Sequence, residues 1–308
     1  MISMTAKRFF NGIFLFLILL VVLDRISGAV LEYGIYKHFD LHSNVDYLVL
    51  GSSPATLDLS KALLEKRTGK KFAFYTQLGV TTEDRLIMLK HFLSINKSKL
   101  KGVIYELTPH IFTCKGLSEN SNQLLFPYMN DKVIRDYLKI KCQSKLEYYE
   151  RVIFSTSRFN EMTLNFAVRG IINDRTNLKF GIVDTIGLQK EIKANNFWKI
   201  TMDTDCINTF RNTVYFLKQR QLNGTFVFFP VVHILTTAEP EKIKSVEQRV
   251  QEIVKINSGN QLLNYTILFK DSTNLFFDHL HLNVDGQKEF TLIFSKYFIQ
   301  VKSSFNQK

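Results

Sequence analysis

The stretch DYLVLGSS, Asp46 to Ser53, decides how the rest of the chain is read. Tyr47 to Leu50 form a short apolar run without alternation, closed by a Gly-Ser turn, and that is the pattern of a strand buried on both faces in a parallel sheet. Working outward, helical spacing over Asp58 to Arg67 leads to a second strand at Lys71 to Gln77. A helix from Thr82 to Leu93 follows, with Thr82, Glu83 and Asp84 supplying capping and N-terminal charge. The third strand is Gly102 to Leu107. Strands alternating with helices imply right-handed crossovers in an open parallel sheet.

Beyond the third strand, Ile111 to Leu217 is less regular, with a charged helical stretch at Asp131 to Arg151 and a polar loop at Ser118 to Gln123. It reads as a helical insertion over one edge. Alternation resumes with a strand at Gly224 to Val232, a helix at Glu239 to Ile256, a strand at Tyr265 to Lys270 and a closing helix at Asp285 to Tyr297. No repeat and no Pro- or Ser-rich linker divides the chain.

The N-terminus carries a different signal. FFNGIFLFLILLVVL, Phe9 to Leu23, follows Lys7 and Arg8 with no acidic residue upstream. Fifteen helical residues rise about 22 Å, short of the roughly 30 Å hydrocarbon core, and extension through Ile26 to Leu31 repairs the length. Asp24 and Arg25 then lie near the outer end, where snorkelling makes charge tolerable. An uncleaved anchor is favoured over a removed signal peptide, for which Ser27 and Ala29 offer the small residues of a cleavage site. The positive-inside rule keeps Lys7 and Arg8 cytoplasmic and exports the rest. The expected organisation is a stub and transmembrane anchor over residues 1–31, then an extracytoplasmic domain over residues 32–308 with its insertion at about 111–217.

Composition narrows the function classes. The 308 residues are 45% hydrophobic, which excludes wholesale disorder. The net charge of +12 comes from 40 basic and 28 acidic residues scattered along the chain, so nucleic-acid binding is disfavoured. Attraction to anionic headgroups, attraction to acidic envelope polymers and a solvated surface all fit that charge. Three cysteines, Cys114, Cys142 and Cys206, allow at most one bridge, and a Cys114 to Cys142 pairing is left open. No Gly-rich phosphate loop supports a nucleotide, and G-x-S-x-G is missing, so no cofactor is expected.

In an open parallel sheet the ligand crevice lies at the carboxyl ends of the strands. Those ends deliver Ser52 and Ser53, then Gly79, then Thr108 and His110, then His233, and finally Asp278, His279 and His281. A serine needs a base to take its proton, and a histidine held by a carboxylate is the usual one. Asp278 and His281, three residues apart in a turn, have that spacing. Ser52 competes with Ser53, and His279 with His281, since residues two apart share a face in an extended segment. The amides of Ser53 and Gly79 are the candidate oxyanion donors. A metal site at Asp278, His279 and His281 lacks a specified fourth ligand, so no metal is expected.

LVLGSSPATLDLSKALLEK, QLGVTTED, YELTPHIF and FFDHLHLNVDGQKEF together resemble the SGNH or GDSL-type hydrolases. The resemblance is strongest to an exported, membrane-tethered branch with GSS in place of GDS, some of whose members take part in acylating cell-envelope polymers. It covers roughly residues 46–110 and 224–297. It implies a three-layer, flavodoxin-like α/β fold, with Ser53 as nucleophile, His281 as base, Asp278 as its orienting acid and Gly79 in the oxyanion hole. The family's Asn from the third strand's loop has no counterpart; Thr108 and His110 stand there. The implied activity is that of an esterase or O-acyltransferase acting through an acyl-serine on acylated envelope glycans or lipids. The competing expectations are a non-catalytic binding or assembly factor that keeps the crevice, and a structural membrane partner recruited through the insertion.

Overall fold

The computed structural model describes residues 4–114, 121–194 and 199–305. In chain order its elements begin with α1 (Met4–His38), β1 (Tyr47–Gly51), α2 (Ser53–Leu57), α3 (Lys61–Thr68), β2 (Phe72–Thr76), α4 (Thr82–Ile95) and β3 (Gly102–Leu107). Helices α5 (Lys132–Lys141), α6 (Lys145–Ile153), α7 (Glu161–Ile172), α8 (Thr185–Lys193) and α9 (Thr204–Gln219) follow. The chain closes with β4 (Gly224–Phe228), α10 (His233–Ala238), α11 (Pro240–Val254), β5 (Gln261–Asn264) and α12 (Val284–Phe305). Two compact units form: Met1–His38 with Asn122–Arg175, and Phe39–Ser121 with Thr176–Lys308.

The second unit holds a five-stranded, all-parallel sheet in the order β2-β1-β3-β4-β5, as expected of a flavodoxin-like fold. Leu48, Val49 and Leu50 are wholly buried, as are Ile104 and Tyr105, so both faces of the central strands are covered. Alternation sends Val49, Ile104 and Val227 into one core with Phe290 and Phe294, while Tyr105 and Phe226 meet Phe210 on the other face. Phe290, Phe294 and Phe298 recur every four residues along α12, giving that helix one aromatic edge. Helices α3 and α12 pack together, and α9 packs on α4 and α11, completing three layers.

Several boundaries differ from the sequence reading. The expected helix over residues 58–67 begins instead at Lys61, because Ser60 accepts the Leu63 amide as its cap and Pro54 has already opened the separate α2. The cap of α4 is Thr81, whose hydroxyl and backbone exchange bonds with Asp84. The charged stretch over residues 131–151 breaks at Ser144, which caps α6. β4 ends at Phe228, shortly before Pro230, which has no amide to donate. The expected strand over residues 265–270 is a turn, and its place in the sheet is taken by Gln261–Asn264. Asn264 Oδ1 accepts the Thr266 amide at 2.9 Å and bends the chain there, so Phe269 enters the core from a turn. The expected loop over residues 118–123 lies partly outside the described residues. The disulfide joins Cys114 to Cys206, with Cα atoms 6.4 Å apart, and leaves Cys142 free, correcting the Cys114 to Cys142 possibility.

In the first unit, α1 runs unbroken past residue 31, and the exposed run Phe9 to Leu23 lies within a helix long and apolar enough to cross a membrane. Its far half packs on α7 through small residues. A Cβ at Gly34 would lie 2.2 Å from the Ala167 carbonyl oxygen, and one at Gly170 would lie 1.8 Å from that of Gly34. Only glycine permits backbones so close.

Three bonds hold the α2–α3 segment to the C-terminal segment of the sheet unit. Asp58 Oδ1 accepts the Leu282 amide at 2.8 Å, Leu57 O accepts Gln287 Nε2 at 2.6 Å, and Thr291 Oγ1 accepts the Ser60 amide at 3.0 Å. Burial pushes the Asp58 carboxyl well above the usual carboxylate range; the Leu282 amide opposes this, and the negative charges of Asp278 and Glu106 add to it. Folding therefore favours protonated Asp58. Its contribution is intact below the unfolded value of about 4 and is lost as pH climbs toward the folded value, by at most about 1.4 kcal/mol per pH unit. Asp58→Asn removes that loss and keeps an acceptor for Leu282. The stability of the full chain, from urea midpoints between about pH 5 and 7, should fall less with pH in the variant than in the parent. Parallel pH profiles would contradict a proton held on Asp58.

Candidate functional site

A cavity of about 340 Å³ opens at the carboxyl edge of the sheet unit, where the neighbouring strands β1 and β3 lead on to strands on opposite sides, β2 and β4. Ser52, Ser53, Gly79, Thr108, His110, Asp278, His279 and His281 all line it. Ser53 opens α2 directly behind β1. Gly79 follows β2 at φ 70°, a left-handed conformation that side chains disfavour, and turns Val80 to Thr82 toward the cavity. His233 is absent from this lining. It begins α10, where its ring Nδ1 meets Thr236 Oγ1 at 2.9 Å.

The Asp278 to His281 turn is built around the carboxylate. Asp278 Oδ1 accepts the amides of Leu280 at 2.8 Å and His281 at 2.9 Å, while Oδ2 lies 2.7 Å from His281 Nδ1. The Asp278 bond fixes the tautomer with the proton on Nδ1, leaving Nε2 as the basic nitrogen. That Nε2 is buried and has no hydrogen-bond partner, Ser53 included. Burial pushes the Asp278 carboxyl up, but the His281 imidazole and the Leu280 amide outweigh it and hold it below the usual carboxylate range. His279 also lines the cavity, yet it is His281 that the carboxylate grips. Burial lowers the pKa of His279, against the pull of the Asp278 charge.

Behind and around the lining serines stand residues to which the sequence reading gave no part in the site. Glu106, fully buried in β3, accepts the Ser52 amide at 2.8 Å and the Ser52 hydroxyl at 3.1 Å through Oε2. Arg85 from α4 meets the same oxygen at 3.0 Å and also donates to the Glu106 carbonyl at 2.7 Å. Burial alone would loosen the guanidinium's proton, but Glu106 reverses this and raises its pKa. Burial likewise pushes the Tyr105 phenol, beneath the guanidinium, up to about 12. Gly51 admits this arrangement, since a Cβ there would come within 2.7 Å of Glu106 Cβ. Ser52 is thus committed to Glu106, and Ser53 is the serine not claimed by it. Thr82 also lines the cavity, with a buried hydroxyl that lacks a partner. The signal for Glu106 was present in GVIYEL: an acid in an otherwise apolar buried strand demands a counter-charge.

Removing one member of a buried ion pair strands the other. Arg85→Met should therefore lower the stability of the full chain by about 3–5 kcal/mol, and Arg85→Met/Glu106→Gln should recover most of that loss, both read from urea midpoints. A single-variant loss below about 1 kcal/mol would mark the pair as effectively solvated.

No family model matches this chain, and no curated protein does. A solved structure from Streptococcus pneumonia whose name refers to platelet activating factor is similar to it at a TM-score of 0.46 and 10% identity, over 94% of this chain and 99% of that one. A likeness at that level carries no functional information.

Proposed function

We propose that this chain is a membrane-anchored, extracytoplasmic SGNH-like serine esterase or O-acyltransferase acting on O-acyl groups of cell-envelope glycans or lipids. The carrying observation is the Asp278–His281 pair: His281 lines the same cavity as Ser53, and its Nε2 has no hydrogen-bond partner. The long apolar α1 supports anchorage, and the Cys114–Cys206 bridge fits an oxidising compartment outside the cytoplasm.

In this reading Ser53 Oγ attacks the carbonyl carbon of the bound ester while its proton passes to His281 Nε2. Asp278 steadies the imidazolium that forms. The amides of Ser53 and Gly79 face the oxyanion. Collapse breaks the ester C–O bond, and the departing alkoxide takes the proton back from His281. Water or a sugar hydroxyl, deprotonated by the same nitrogen, then attacks the acyl-Ser53 carbonyl and regenerates the serine. Water gives hydrolysis; a hydroxyl acceptor gives transfer. Closure of the Ser53–His281 bond on substrate binding is the step the free protein lacks, and catalytic hydrogen bonds commonly tighten in this way.

A second reading, a non-catalytic factor that binds acylated polymer in the same cavity, draws on two observations: Ser53 and His281 are not hydrogen-bonded, and Thr108 and His110 stand where the family would place an Asn. A fluorophosphonate probe separates the readings. With the full chain in detergent, labelling should map to Ser53, vanish in Ser53→Ala, and fall by about 10⁴-fold in rate in Asp278→Asn, where the imidazole loses its enforced tautomer. A folded parent that is not labelled would favour the binding factor.

A further inference from the structure

Helix α6 turns an apolar stripe outward. Leu146, Tyr149 and Ile153 recur at i, i+3 and i+7 and are 81%, 55% and 55% exposed, and Phe154, next in the chain, is 49% exposed. Tyr148, on the opposite side, is buried. An exposed apolar surface of this kind marks an interaction site.

Bonds inside the same unit fix the level of the C-terminal end of this stripe along α1. The Arg25 guanidinium donates to the Ile153 carbonyl at 2.7 Å and to Ser155 Oγ at 2.9 Å. The Asp24 carboxylate accepts the Ser155 amide at 2.7 Å, the Thr156 amide at 3.0 Å and the Thr156 hydroxyl at 2.6 Å. Gly28 lies flat on Ser155, where a Cβ would come within 2.3 Å of the serine Cβ. The C-terminal end of α6 therefore sits beside residues 24–28 of α1.

Membrane geometry gives those residues a depth. Counting about 20 residues of helix from Phe9, the span that crosses roughly 30 Å of hydrocarbon, places the outer boundary near Gly28. Asp24 and Arg25 then lie just within that boundary, where an ionised group needs protein partners, and the turn after α6 supplies them.

We infer that α6 lies in the outer interface of the bilayer, with Leu146, Tyr149, Ile153 and Phe154 seated among the headgroups and upper acyl chains. The inference rests on α1 spanning the membrane. The occupant of the stripe is lipid, because the same bonds that satisfy Asp24 and Arg25 carry its Ile153–Phe154 end to lipid depth. Tyr149 suits that level, since an amphipathic ring settles where chain meets headgroup.

Depth-dependent fluorescence quenching tests this. The native Trp198 is removed as Trp198→Phe, and Leu20→Trp, Tyr149→Trp or Ile153→Trp is added singly to the full chain. Each protein is reconstituted in phosphatidylcholine vesicles whose lipids carry bromine either near the top of the acyl chain, read for Tyr149→Trp and Ile153→Trp, or near its end, read for Leu20→Trp, with unbrominated vesicles as reference. Loss of most emission in the Tyr149→Trp and Ile153→Trp proteins, alongside loss in Leu20→Trp, supports the inference. Quenching of Leu20→Trp alone overturns it and leaves the span intact. Unquenched Leu20→Trp overturns the span and the inference with it.

Discussion

The carboxyl of Asp58, buried and accepting the Leu282 amide, is the constraint on which the candidate site depends. It joins the end of α2, the helix that begins at Ser53, to the turn that carries His281, two segments separated by 224 positions. Closing so long a loop costs conformational entropy that a single surface contact would not offset. Burial of the bond and its support by Gln287 and Thr291 make the closure part of the core. The three bonds keep serine and imidazole on one cavity even though no direct bond joins them.

A second constraint lies beneath. A parallel sheet delivers its strand ends to one edge, and what those ends present depends on which residues the interior will accept. Glu106 is accepted because Arg85 neutralises it and the Ser52 amide and hydroxyl fill its Oε2. The ion pair is not an obvious gain in stability, since desolvation offsets much of its attraction. Its structural effect is to hold Ser52 down and so define the turn from which Ser53 emerges.

Much of this was legible in the sequence, for identifiable reasons. The runs at Tyr47 to Gly51 and Gly102 to Leu107 announced buried parallel strands because nothing polar but Glu106 interrupts them. The Asp278 to His281 spacing announced a carboxylate–imidazole turn because that geometry is local. What escaped was non-local. The role of Glu106 depends on Arg85, 21 positions away, and that of Asp58 on Leu282. The strand at Gln261–Asn264 was misplaced because Tyr265 to Lys270 is the more apolar stretch, and only the Asn264 side chain, by bending the chain, sends those residues into the core as a turn. The Cys206 pairing likewise needed the fold, since all three cysteines are far apart in the chain.

The Glu106–Arg85 pair has one more implication, for the history of the chain. Because each side chain is stranded without the other, neither position is free to drift by itself, and the close approach at Gly51 ties a third position to them. Variation beneath the serine turn would have to arrive as matched exchanges, while the cavity walls above remain open to single substitutions that retune what the pocket holds.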